Sequence, residues 1–375
     1  MGGSMLTGVT LASCAVDAQD RYLAALSGVA FLETASGLQI ITASAGENAL
    51  TRFEYNDGLL EIETFRLSAH AGLHDLVTTD TGLSALARWD NAVTIDANSF
   101  TANGAANLVA LSNTASAARS TAGLVLDTLK IADDDATPLG DITALASLSD
   151  GRVIAGSAFD TGVALLDAAG TVTDVALAED GFWHNGVSAI ETVTMDGKEF
   201  AIVAASGSSS LSVFEVLEDE LVLTDHEWDN MMTRFSGVSE LATAQINGMT
   251  VVAAGGSDAG LSLFELTQDG DLVHLYDILD TDQSTLADIS GLDLIAQDDR
   301  LLLVASSEKE SGFTVFELEF EFEEPAPLFL DPQVQIIHFE QTPRLSGHQP
   351  SPAPQEPEAT ESWIDLHLIE DLLIF

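Results

Sequence analysis

Apolar residues along this chain come in short runs that alternate with polar ones at a period of two, and the runs themselves recur. Leu211-Ser-Val-Phe-Glu-Val216, Leu261-Ser-Leu-Phe-Glu-Leu266 and Phe313-Thr-Val-Phe-Glu-Leu318 are near copies, and Leu50-Thr-Arg-Phe-Glu-Tyr55 is a fourth. Their phenylalanines, Phe53, Phe214, Phe264 and Phe316, fall in one register, while Val163-Ala-Leu-Leu-Asp-Ala168 and Leu124-Val-Leu-Asp127 are weaker copies. A second marker lies upstream of each, a Gly followed by an apolar residue, at Gly28, Gly186, Gly237 and Gly291. With Gly82 and Gly140 filling in, the spacings are 54, 58, 46, 51 and 54 residues. A repeat of that length, alternating with period two and broken by turns such as Gln268-Asp269-Gly270-Asp271, predicts short antiparallel strands joined by hairpins. A helical solenoid would need a 3.6-residue period, which is absent.

Three or four strands per unit, repeated radially, make the blades of a β-propeller. The sequence therefore predicts an all-β protein, a β-propeller of six blades, each a four-stranded antiparallel sheet. Seven is the alternative if Gly82 to Gly140 conceals a degenerate blade. The last unit lacks an outer strand, and Gly8–Ala12 and Tyr22–Leu26 are expected to supply it, joining the two ends of the chain in one blade. The propeller domain is placed at residues 1–320. Residues 321–361, rich in Pro, Glu and Gln, are expected to be a disordered acidic linker. Residues 362–375 turn apolar again, as an amphipathic segment that serves in docking or export.

Charge narrows the function. Twelve basic residues against sixty acidic ones leave a net charge of −48, which excludes ordinary nucleic-acid binding and adhesion to anionic lipid. Such a chain suits a medium in which salt or divalent cations screen it. Cys14 has no partner for an intramolecular disulfide. Leu11-Ala12-Ser13-Cys14 matches a lipid-attachment pattern, but the stretch before it has neither Lys nor Arg and too short an apolar run for a signal peptide. No run of about 18 apolar residues is present to span a membrane.

No phosphate-binding loop, dinucleotide fingerprint, HExxH, CxxC or GxSxG motif occurs. His70 and His74 are four apart in a stretch read as a loop between units. Carboxylates gather in two inter-blade loops, Asp133, Asp134 and Asp135 with Asp141, and Asp280 and Asp282 with Asp288; oxygen-rich loops suit calcium, and solvated surface is the other reading. Residues at the entry to the innermost strands line a propeller's channel mouth. Trp183, His184, Arg234 and Asp288 hold that position in successive units and are the candidate ligand-binding set; His184 and Arg234 could instead only satisfy buried carboxylates.

The Ser-Gly-Val openings, the Val-Ala-Ala-Gly-Gly strand end and Leu-Ser-Leu-Phe-Glu-Leu with its Gln-Asp-Gly-Asp-Leu-Val turn resemble the propeller region of secreted hemolysin-type calcium-binding (RTX) proteins of marine alphaproteobacteria. More distantly they resemble lactonase-type propellers. The resemblance covers about residues 26 to 320, and the Gly-Gly-x-Gly-x-Asp calcium repeats of the first family are absent. It implies secretion, with Glu370, Asp371, Leu372, Leu373, Ile374 and Phe375 similar to the C-terminal signal read by type I secretion machinery. The expected function is a secreted or surface-associated binding or scaffold module, calcium the one candidate cofactor, its ligand a protein or small molecule; the alternative is a hydrolase of lactones or small esters at the channel mouth.

Overall fold

The computed structural model describes residues 4–322 apart from 19–20, 57, 80–81, 119–122, 127–128, 134–136, 160–161 and 178–184. Among the described residues the secondary structure is β-strands and turns, with no helix long and apolar enough to cross a membrane. The chain opens with β1 (Ser4–Val16) and then lays down blade after blade. Blade 1 is β2 (Leu26–Thr34), β3 (Gly37–Ser44), β4 (Ala49–Tyr55) and β5 (Leu59–Arg66). Blade 2 is β6 (Leu73–Thr79), β7 (Gly82–Ala87), β8 (Asn91–Ile95) and β9 (Phe100–Ala106). Blade 3 is β10 (Leu108–Leu111), β11 (Ala115–Ala118), β12 (Leu124–Leu126) and β13 (Leu129–Ile131). Blade 4 is β14 (Ile142–Ser147), β15 (Val153–Ser157), β16 (Gly162–Leu166) and β17 (Val172–Leu177). Blade 5 is β18 (Val187–Met195), β19 (Lys198–Ala205), β20 (Ser210–Val216) and β21 (Leu221–Trp228). Blade 6 is β22 (Glu240–Ile246), β23 (Met249–Gly255), β24 (Gly260–Leu266) and β25 (Leu272–Leu279). β26 (Ile289–Gln297), β27 (Arg300–Ser307) and β28 (Gly312–Phe322) complete the series together with β1; every sheet is four-stranded and antiparallel, and the first six are meanders of consecutive strands.

Seven sheets result, not six. The expected markers misplace one unit because Gly82 opens β7, a second strand, whereas Gly28 and Gly291 lie inside innermost strands and Gly186 and Gly237 just precede them. The long stretch from Gly82 to Gly140 holds the rest of blade 2 and all of blade 3, whose third strand is only the three residues Leu124–Leu126. The Phe-Glu signature is missing from both blades, and only the weak copy at Leu124-Val-Leu-Asp127 marks blade 3. The other third-strand phenylalanines, Phe53, Phe214, Phe264 and Phe316, are all buried between blades as their common register requires.

The last blade closes as expected in kind but not in extent. β1 pairs with β28 from Ser4↔Phe322 to Val16↔Gly312, so the whole outer strand comes from residues 4–16. Tyr22–Ala25 instead form the turn into β2, with Leu26 as its first residue. Cys14 stands within this closing strand, opposite Thr314. Closure removes the exposed edge that β28 would otherwise present. β28 runs two residues past the expected boundary at 320, and the linker and C-terminal segment lie outside the described residues.

Candidate functional site

The innermost strands β2, β6, β10, β14, β18, β22 and β26 surround a central cavity of about 1070 Å³. Six of them carry a bulge at the second residue, at Ser27, His74, Val109, Thr143, Ser188 and Ser290. A bulge rotates the strand locally and re-aims the side chains on either side of it. Several of these side chains reach the next blade: Thr143 Oγ1 donates to the Val187 carbonyl at 2.5 Å and Ser188 Oγ to the Val238 carbonyl at 2.7 Å. Ser239, at the same position in blade 6, donates to the Ile289 carbonyl at 2.9 Å. Blades 4, 5 and 6 are thus each hooked to the inner-strand entry of the next.

Two residues after Leu26, Leu73, Leu108, Ile142, Val187, Val238 and Ile289, the equivalent apolar residues at the inner-strand entries, and again four residues after them, the chain is mostly Gly, Ala, Val or Ser. The exceptions are four carboxylates: Asp75 and Glu240 at the first position, Glu191 and Asp293 at the second. All four line the cavity. Burial is the first cause of their behaviour. It pushes Asp75 up to about 7, against the pull of its bond from the Leu76 N–H. It pushes Glu191 up to about 8, with the charges of Asp293 and Asp75 adding to it and a bond from Thr243 opposing. Glu240 is raised well above the ordinary carboxylate range by burial and then by Asp75 and Glu191. Asp293 rises only to about 6, because the N–H groups of Phe31 and Leu294 bond its ionised form at 2.7 Å and 2.8 Å.

Cations are scarce there. Arg88 and His74 line the cavity, and His74 is driven down to about 4 by burial and by Arg88, so it is neutral at neutral pH. His74 also sits on β6 rather than in the loop expected for it. At neutral pH the chamber is a partly protonated, under-neutralised acidic site within low-dielectric walls, which favours uptake of positive charge. Among the described residues, no three His, Cys, Asp or Glu side chains lie close enough to hold a metal ion.

Of the residues singled out at the channel mouth, Arg234 and Asp288 are among the described residues. Arg234 is 3.7 Å from Asp258 and donates to the Thr233 carbonyl at 3.1 Å, and neither it nor Asp288 lines the cavity. Trp183 and His184 lie outside the described residues, as do Asp134 and Asp135. Asp141 does line the cavity, at the head of β14, with φ of 51°.

The acidic loops have a common construction. Asp17, Asp133, Asp229 and Asp280 each accept, through Oδ1, the backbone N–H six residues on, at Leu23, Leu139, Phe235 and Leu286, over 3.1–3.2 Å. Those four apolar residues are fully buried. The aspartates are therefore clasps that close inter-blade loops over an apolar plug. In the sequence the Asp133 and Asp280 clusters read as oxygen-rich or as solvated loops, and the Asp-x5-apolar spacing is the signal that marks the clasp. The four cavity carboxylates were missed altogether, although an acid at a position where other blades carry Gly, Ala, Val or Ser marks them.

Known structures with this architecture exist. Streptogramin B lyase aligns with a TM-score of 0.56 at 8% identity, covering 83% of this chain and 97% of that one. The extracellular domain of a hybrid two component system from B. thetaiotaomicron aligns with a TM-score of 0.57 at 13% identity, covering 82% of this chain and 41% of that one. At such identity the likeness shows the fold alone, and the chain is a seven-bladed β-propeller. No family model and no curated protein matches it by sequence, so the RTX-type resemblance finds no family match.

Proposed function

We propose that this protein is a binding module, secreted or held at the cell surface, whose central chamber receives an organic cation carrying amine or guanidinium groups. The observation that carries this reading is the convergence of Asp75, Glu191, Glu240 and Asp293 on one cavity with Arg88 as its charged counterweight. An amine bound among them would donate hydrogen bonds to carboxylates and restore their ionised form. The extracellular setting is supported by the net charge of −48, which calls for a screening medium, and by the extracellular domain among the similar structures. Calcium at Asp133, Asp134, Asp135 and Asp141, and export through Glu370 to Phe375, belong to the same reading and rest on the sequence alone. The lactone-hydrolase alternative would use Arg234 to polarise its substrate, and Arg234 is engaged with Asp258 outside the cavity.

The test is calorimetric titration with putrescine, spermidine and agmatine at about 0.5 M salt, where loose surface attraction is screened. Wild-type protein binds one of them at a single site and releases protons as it does so. The Glu191→Gln/Glu240→Gln protein binds it at least about tenfold more weakly, each factor of ten being about 1.4 kcal/mol. Absence of saturable binding, or equal affinity in the double variant, refutes the reading.

A further inference from the structure

The loops from blade 5 to blade 6 and from blade 6 to blade 7 are wired alike. In the first, Asp229 Oδ1 accepts from Phe235 N at 3.1 Å and from Thr233 Oγ1 at 2.9 Å, and Asn230 N donates to Thr233 Oγ1 at 2.8 Å. In the second, Asp280 Oδ1 accepts from Leu286 N at 3.1 Å and from Ser284 Oγ at 3.0 Å, and Thr281 N donates to Ser284 Oγ at 2.7 Å. Even the outer anchor repeats: Arg234 N donates to Ser262 Oγ at 2.7 Å and Thr285 N to Thr314 Oγ1 at 2.9 Å. The fold thus contains its own control for what the loop needs. Residue for residue, Met231 and Met232 stand where the second loop has Asp282 and Gln283.

Met232 enters this wiring only through its backbone N–H, which donates to Asn230 Oδ1 at 2.8 Å, and the methionines are 91% and 74% exposed. Trp228, 51% exposed, precedes the loop. On the other side Leu279, 53% exposed, pairs with Gly260, which lies against Arg234. Two unbranched apolar side chains on a rigidly bonded tip, three residues along the chain from a half-exposed Trp, form an adaptable apolar anchor. Glu227 and Asp229 precede it in the chain, and Arg234, which follows it, is 3.7 Å from Asp258. The surrounding charge selects the occupant. A second copy of this chain would bring another −48, and an anionic membrane would likewise repel, whereas Lys and Arg around an apolar residue match the site.

We propose that Met231 and Met232 are the anchor of a docking surface for a basic, apolar-bearing polypeptide segment, separate from the central chamber. The test uses fluorescence anisotropy with two labelled peptides of equal charge, one alternating lysine with leucine and one in which serine replaces leucine. The wild-type protein prefers the leucine peptide. In the Met231→Asp/Met232→Gln protein, which carries the neighbouring loop's own residues, thermal stability is unchanged and the preference falls about tenfold, although the added acid favours basic peptides. A reverse graft, Asp282→Met/Gln283→Met, strengthens binding of the leucine peptide. An unaltered preference in the first variant overturns the proposal. So does sedimentation showing that the wild type self-associates through these methionines, or flotation with anionic vesicles that depends on them.

Discussion

The Asp293 carboxylate accepts the backbone N–H of Phe31 over 2.7 Å, across the seam where the last blade meets the first. Beside it, Gly291 packs so closely on blade 1 that a Cβ there would come within 2.6 Å of Val29 N and 2.8 Å of Gly28 Cα. One side chain that satisfies a free strand-edge donor, and one that is absent, hold the seam shut. Asp293→Ala strands both the Phe31 and Leu294 donors and lowers stability by about 1–3 kcal/mol, whereas Asp293→Asn keeps an acceptor and costs less. Gly291→Ala forces the two inner strands apart and is the more damaging change. Urea midpoints at constant slope measure all three.

Stability falls as pH rises through the neutral range. Asp75 at about 7, Glu191 at about 8 and Asp293 at about 6 all lie above their ordinary values of 3.8 and 4.5, with Glu240 shifted the same way. The native state therefore keeps protons that the unfolded chain has released. The stability these groups confer is fully present below about pH 4 and is lost as pH rises through about 6 to 8. Melting temperatures at pH 5.5 and 8.5, in about 1 M salt to screen the surface acids, show the lower pH to be the more stable. Glu191→Gln flattens that slope, and an unchanged slope would show that the chamber is not its source.

The Asp-x5-apolar clasps are structural. Asp280→Ala removes an acceptor shared by Leu286 N and Ser284 Oγ and lowers stability by about 1–2 kcal/mol. Leu286→Ala, at a fully buried plug, lowers it by about 2–5 kcal/mol. Because the Asp280 carboxylate is occupied by the loop's own donors, any effect of calcium on the melting temperature is the same in the wild type and in Asp280→Ala. A calcium-dependent melting temperature that this substitution abolishes would reverse the assignment.

Arg52 is 2% exposed on β4 and donates to the Ala97 carbonyl at 2.6 Å and to Gln39 Oε1 at 2.7 Å, with its guanidinium 4.7 Å from the Phe100 ring centre. Burial lowers its pKa, while Glu63 and Asp96 act in the other direction. It fastens the β8–β9 turn to blade 1. Arg52→Lys loses the planar fork and the ring contact, and Arg52→Ala loses about 3–5 kcal/mol. Proteolysis in the 96–100 turn reads out the local loosening ahead of global unfolding.

The sequence by itself determined the strands, their hairpins and the closure of the last blade by the N-terminal strand. Those are local matters: alternation at period two places a side chain in or out, and Asn, Asp and Gly at turns supply the backbone angles. Where the signature is intact, from Val187 to Leu318, strand positions and register were legible. Only the tertiary structure decided the blade number, because blades 2 and 3 lack the Phe-Glu strand and are recognised by what they pair with. Only it decided the site, too. Asp75, Glu191, Glu240 and Asp293 are about fifty residues or more from one another along the chain, and each reads alone as one acid among sixty. Ring closure turns four inner strands toward one axis, and the low-dielectric enclosure they share then raises their pKa values. Arg234 and Asp288, by contrast, lie in the inter-blade loops that precede the inner strands, and neither lines the chamber.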